Sequence, residues 1–290
     1  MHRKCVYYHF FAVLTSLASR EFGEVVITSV LQRTPLEVTV IVMLLLAAIS
    51  TRNEITTFAY IHMFYLPFLL APGILIVVLS LKNATMINLL PILGNEPKGM
   101  RMGILTVSAL FQGSFILTIV IPAMRHPEKA MKASLWGMLI AGGLYLAAVV
   151  ATVAVFGAEE TKLLLWPTLE LAKTTSLPGN IMERLDAAFL AVWVTAVFTT
   201  LLSSYYLTVH AISELFRLRD HKMLSFFIFT FVFVIAMLLQ NVLQTYQIIK
   251  SVGRTGLWIT IAYPSLLLIT ATIRKKRGDR RGAGQLGETG

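Results

Sequence analysis

The sequence predicts an all-α, polytopic membrane protein of about eight transmembrane helices. Three observations predict it. The chain is 56% hydrophobic and only 14% charged, against roughly a quarter charged in soluble domains. Its mean hydropathy is +0.73. Its apolar residues gather in eight spans, at 5–31, 35–51, 57–81, 102–124, 133–156, 186–212, 223–243 and 257–273, and a helix needs about 20 such residues to cross a bilayer. The one cysteine, Cys5, excludes an internal disulfide and a cysteine-based zinc site.

The first span is the weakest, because Arg20, Glu21 and Glu24 interrupt it. It has no small-residue cleavage site and reads as a spanning helix, not a signal peptide. Arg20 and Glu24 are four residues apart and can pair on one helical face, which leaves Glu21 on another. At a rise of ~1.5 Å per residue, Arg20 lies ~22 Å beyond Cys5, past the middle of the span. Ionisable residues inside a membrane are functional candidates. These three are therefore a candidate intramembrane ion pair or gate. The plain alternative is an ion pair that snorkels to the outer interface. The second span is short and begins at Pro35, a natural first-turn residue. The third contains Pro67 and Pro72, which predict bending.

The fourth span sets Gln112, Gly113 and Ser114 together at mid-membrane. Non-helical backbone at that depth survives only when buried in protein or lining a cavity. Half-helix ends of this kind build binding sites in transporters. Close helix packing explains the glycine equally well. Pro122 ends the span.

The sixth span carries hydroxyls in its middle, and Thr195, Thr199, Ser203 and Tyr206 share one helical face. A polar stripe in a membrane helix faces other helices or water, not lipid. It serves interhelical hydrogen bonds, bonds to its own backbone carbonyls, or a small-ligand or ion site. Gln112, Gly113, Ser114, Thr195, Thr199 and Ser203 form the candidate ligand-binding set.

Two longer connections complete the chain. Residues 82–101 hold an apolar patch at 87–93 suited to the membrane surface. Residues 157–184 hold Trp166 beside three leucines, then an amphipathic TLELAK run, and predict one or two interfacial half-helices. With the N-terminus inside, fifteen of the 25 Lys and Arg residues fall on the inner side and nine on the outer. Both termini are therefore expected in the cytoplasm. The net charge of +10 thus reflects topology, not nucleic-acid binding. The chain divides into a membrane block at 1–273 and a basic, disordered tail at 274–290 that can meet anionic lipid.

No enzyme signature emerges. The six histidines are scattered, no HExxH motif is present, and Asp and Glu lie mainly in loops. No catalytic residue, metal or cofactor is expected.

Five stretches carry a resemblance: LASREFGEVVITSVLQRTPLEV (17–38), INLLPILG (87–94), the FG…LLWPTLEL run (156–171), PGNIMERLDAAFLAVWVTAVFTT (178–200) and ELFRLRDHK (214–222). In these and in their order the chain resembles the spore germination permeases, the B subunits of Ger-type nutrient germinant receptors. That family looks like a branch of the amino acid–polyamine–organocation transporters. The resemblance implies a ten-helix, inverted-repeat (LeuT-like) fold with helices one and six broken around the ligand. It places Gln112, Gly113 and Ser114 in the sixth family helix, and Thr195 and Thr199 in the eighth, facing a ligand or Na⁺. Arg20 and Glu24 fall in the third, beside that site or at its outer gate. Here the REFGE helix begins almost at Met1, so the eight spans correspond to family helices three to ten. That difference is expected to reflect a start placed too late, a degraded gene, or a protein that works without transport.

The implied function is a subunit of the spore inner membrane that senses a small nutrient such as an amino acid and acts through A and C receptor subunits. The alternatives are an H⁺- or Na⁺-coupled amino acid transporter acting alone, or a non-transporting scaffold.

Overall fold

The structure is a computed structural model that describes residues 2–29, 31–90, 97–174, 185–218 and 220–274. The basic tail beyond Arg274, part of the 87–94 motif and residues 175–184 of the second long connection lie outside the described residues, as does the side chain of Cys5.

Every regular element among the described residues is helical. In chain order these are α1 (His2–Ser29), α2 (Leu36–Ser50), α3 (Ile55–Ser80), α4 (Pro97–Leu110), α5 (Leu117–Val120), α6 (Ala130–Leu163), α7 (Pro167–Thr174), α8 (Leu185–Phe216), α9 (Lys222–Met237), α10 (Val242–Leu257) and α11 (Tyr263–Ile273). Short 3₁₀ turns occupy Leu81–Asn83, Met86–Leu89, Phe111–Ile116, Ile121–Ala123 and Pro127–Lys129.

Five helical stretches among the described residues are long and apolar enough to cross a membrane: Ile55–Asn83, Gly99–Ala123, Pro127–Leu163, Leu190–Phe216 and Val242–Thr270. The other three expected spans correspond to α1, α2 and α9. α1 contains Arg20, Glu21 and Glu24, while α2 and α9 have only 15 and 16 residues.

The surface pattern shows which solvent the fold is built for. On α2, Val40, Met43, Leu44, Ala47 and Ala48 are buried. Its opposite face exposes Val38, Ile41, Val42, Leu45, Leu46 and Ile49. Both faces are apolar, and only lipid suits the outer one. The protein is a multi-pass membrane protein.

α8 is the central element. From Leu201 to Val209 every residue is buried except Ser203, and the helix packs on α1, α2, α3, α7 and α9. Lipid supplies no hydrophobic drive between helices, so close packing and polar ties carry the association. The Tyr205 hydroxyl donates to the Ser225 carbonyl, and the Ser225 hydroxyl donates to the Ala48 carbonyl at 2.7 Å. This chain of bonds joins α8, α9 and α2. α1 crosses α2 at Gly23, where a Cβ would lie 2.6 Å from Leu36 and 2.8 Å from Val40.

The end of the chain corrects an expectation. Residues 244–256 are not a connection between spans at 223–243 and 257–273. They form most of α10, which continues through a π-helical turn at Trp258–Ala262 into α11. Asn241 starts it by accepting the Gln244 N–H at 2.9 Å. The polar residues that suggested a loop alternate with helical period: Lys250 and Arg254 point outward, while Thr245 and Gly256 are buried. The third span runs on as one helix through Pro67 and Pro72.

The second long connection contains two short helical pieces, and both the break and the packing are informative. α6 is interrupted at Gly157, with φ 79° and ψ 163°, a region open essentially to glycine alone. Helix ends leave carbonyls unpaired. Here the Ala154 carbonyl accepts from the Thr85 N–H at 2.9 Å and from Asn88 Nδ2 at 3.0 Å. α7 follows, with Leu169, Leu171 and Ala172 buried against the bundle.

Candidate functional site

The predicted site residues fall into three places. On α1, Arg20 grips Glu24 with Nη2 and Nε at 2.8 and 2.9 Å from the same Oε1. Their side chains are 8% and 12% exposed, so the pair is packed against the rest of the protein. Glu21 points another way, toward α10, where the Tyr246 hydroxyl donates to its Oε1 at 3.2 Å. Among the described residues no cationic side chain pairs with Glu21.

The second place is the tight 3₁₀ turn Phe111–Ile116, which holds Gln112, Gly113 and Ser114. The helix changes type here and does not unwind. Gln112 is buried, and its side-chain amide donates to the Gly253 carbonyl on α10. Gly113 and Ser114 are exposed. A Cβ at Gly256 would overlap both Gln112 Oε1 and the Phe10 ring, which accounts for glycine at that crossing.

The third place is the hydroxyl stripe of α8. Thr195, Thr199 and Ser203 each donate to a carbonyl of their own helix, those of Val192, Ala196 and Thr199, at 2.6–2.9 Å. The stripe turns toward α3, where His62 Nε2 lies 2.9 Å from Ser203 Oγ and 3.2 Å from the Thr199 carbonyl. Nδ1 of the same ring lies 2.9 Å from the Phe58 carbonyl. The hydroxyl stripe and Gln112 therefore face different helices. Scanning the spans for every ionisable residue, as for α1, would have flagged His62.

A cavity lies elsewhere. It offers about 370 Å³ between α1, α3, α6, α7, α8 and α10, within the range of small-molecule sites. Its wall is apolar and aromatic, with Tyr145, Trp166, Leu190, Trp193 and Tyr246 the largest contributors. None of the nine predicted site residues lines it, but Val25 does, one helical turn beyond Glu21. The Trp166 and Tyr246 rings lie 5.8 Å apart, and Trp193 stacks on Phe22 at 6.0 Å. A second hollow of about 330 Å³ shares Leu165 and Trp166 with it and is edged by Glu170 and Lys173, which pair at 2.7 Å. Tyr246 escaped sequence reasoning because its stretch reads as a loop. Trp193 escaped because an aromatic residue in an apolar span carries no positional signal.

A family profile described as "Spore germination protein" matches residues 4–245. The chain belongs to the spore germination protein family. It is similar to spore germination protein YndE of Bacillus subtilis (strain 168), at 24% identity over 95% of this chain and 75% of that protein. From the same organism, spore germination proteins A2 and B2 are 25% and 23% identical over 72% and 74% of this chain. The matches span 57% and 58% of those two relatives. No solved structure matches. Membership ties this membrane protein to spore germination, and a permease-type family points to a non-enzymatic role.

Proposed function

We propose that the chain is the nutrient-sensing membrane subunit of a spore germinant receptor in the spore inner membrane, working with A and C subunits. The observation that carries the reading is the aromatic-lined cavity. It is built from six helices drawn from both ends and the middle of the chain, so filling it biases how those helices pack. A ligand with unequal affinity for two packings shifts their populations, and a partner subunit bound to the bundle can read that shift. The ligand is a small nutrient of the amino acid type.

In this reading Glu21 is tied to the cavity through Tyr246, and the Arg20–Glu24 pair stands beside it on α1. The 3₁₀ turn with Gln112, Gly113 and Ser114, and the α8 stripe of Thr195, Thr199 and Ser203, are contact points through which a change at the cavity reaches α10 and α3. Residues 1–273 act as one permease-like block, with both termini and the basic tail on the cytoplasmic side.

Ala148 lines the cavity, and Ala148→Phe fills part of it. In spores carrying the complete receptor, the variant is expected to need at least about tenfold more nutrient to lose optical density, a cost of about 1.4 kcal/mol in occupancy. An unchanged dose response at normal protein level would rule the cavity out as the nutrient site.

A further inference from the structure

We infer that the cavity selects its ligand by a positively charged amine, with Tyr246 and Glu21 as the recognition pair and the aromatic wall as the seat for an apolar body. This rests on the reading of the cavity as the nutrient site and names the chemistry that the site accepts.

The first ground is charge. Glu21 lies partly buried on α1, and its one hydrogen-bond partner among the described residues is the Tyr246 hydroxyl at 3.2 Å. The neighbouring charges do not compensate it, because Arg20 is committed to Glu24 by two short contacts. A carboxylate in a low-dielectric interior is costly unless a cation joins it. Among the described residues the cavity wall contains no Lys, Arg or His to serve as that cation. A proton on the carboxyl meets that need in the absence of ligand, and an ammonium ligand can take its place.

The second ground is the path from Glu21 to the cavity. Tyr246 lines the cavity and donates its hydroxyl proton to Glu21. A phenol oxygen engaged in this way keeps acceptor lone pairs. An ammonium group bonded to that oxygen sits against a hydroxyl already polarised by the carboxylate behind it. Such charge-assisted bonds are about twice as strong as neutral ones.

The third ground is the wall. Trp166 and Tyr246, with ring centroids 5.8 Å apart, and Trp193 present three aromatic rings to the same space. Aromatic faces attract ammonium groups and weigh more when water is excluded. The rest of the wall is mostly apolar, with Val25, Ile76, Leu144 and Leu190 beside the hydroxyl-bearing Tyr145 and Thr168. The ligand class is therefore a primary amine on a branched aliphatic or aromatic body, and among the described residues the cavity wall holds no cationic side chain to meet a carboxylate.

The test compares three matched probes on the full chain in lipid nanodiscs, read by tryptophan fluorescence. Two of the four tryptophans line the cavity. The probes are L-leucine, 3-methylbutylamine, which lacks the carboxylate, and 4-methylpentanoate, which lacks the amine. Leucine and the amine are expected to shift the emission saturably, and the acid is not. Glu21→Gln and Tyr246→Phe should each weaken the amine about tenfold or more, the weight of a hydrogen bond to a charged group. If the acid binds as well as the amine, or if both variants bind the amine like the parent, amine recognition is overturned while the nutrient site stands. If the two amines give no shift in the parent, and Ala148→Phe leaves the spectrum as it was, the nutrient-site reading falls and takes this inference with it. The comparison of probes on the parent chain does not depend on how well either variant folds.

Discussion

Nε2 of His62 lies 2.9 Å from Oγ of Ser203, joining α3 to the centre of α8 across 141 residues of sequence. The Ser203 hydroxyl also donates to the Thr199 carbonyl at 2.9 Å, so the imidazole and the helix backbone share one hydroxyl. Hydrogen bonds between membrane helices contribute modestly, because the separated helices find other partners. A double-mutant cycle of His62→Ala and Ser203→Ala, read by thermal unfolding in detergent, is expected to give a coupling of about 0.6 kcal/mol and no more than about 1.7 kcal/mol.

The Arg20–Glu24 pair should behave differently, because both side chains are nearly buried. Removing one partner leaves the other charge alone in the bundle. Arg20→Met and Glu24→Met should each destabilise by about 3–5 kcal/mol, and the double replacement by less than either single one. Unfolding midpoints of the three variants decide this. A double variant as unstable as the sum of the singles would show that the two side chains act independently.

Gly157 is set by backbone conformation and not by space. The nearest atom to an added Cβ is the Asn88 amide at 3.8 Å, ordinary contact, yet φ is 79° and ψ is 163°. Gly157→Ala should therefore cost about 1–3 kcal/mol. Because the break frees the carbonyls that hold Thr85 and Asn88, the variant should also raise hydrogen exchange at Thr85.

Gly256 makes the opposite case, where space decides. Its Cβ would meet Gln112 and Phe10 at the crossing of α10 with α1 and the 3₁₀ turn. Gly256→Ala should cost about 1–3 kcal/mol through overpacking. Adding Gln112→Ala should recover part of the loss if the clash with the amide dominates. Thermal unfolding of the single and double variants measures both.

The class of protein was legible in composition alone, and so were the features that depend on spacing within one helix. Arg20 and Glu24 pair because residues four apart on a helix are neighbours whatever surrounds them. The shared face of Thr195, Thr199 and Ser203 follows from the same geometry. The reading failed at 244–256, where a helix with one polar face looks like a connection when only mean apolarity is followed.

What no stretch of sequence shows is which apolar face meets lipid and which meets protein. In water the two differ in polarity, so a hydrophobic stripe marks the core. In a bilayer both are apolar, and Val42 toward lipid and Val40 in the core read alike. The cavity has the same origin. Val25, Ala148, Trp193 and Tyr246 stand on four helices and Trp166 on the turn before α7, and only their packing makes them one wall. The sequence by itself determined the solvent, the helices other than most of α10, and the pairs within a helix. The tertiary structure decided the partners between helices, because those depend on shape and contact, which hydropathy does not encode.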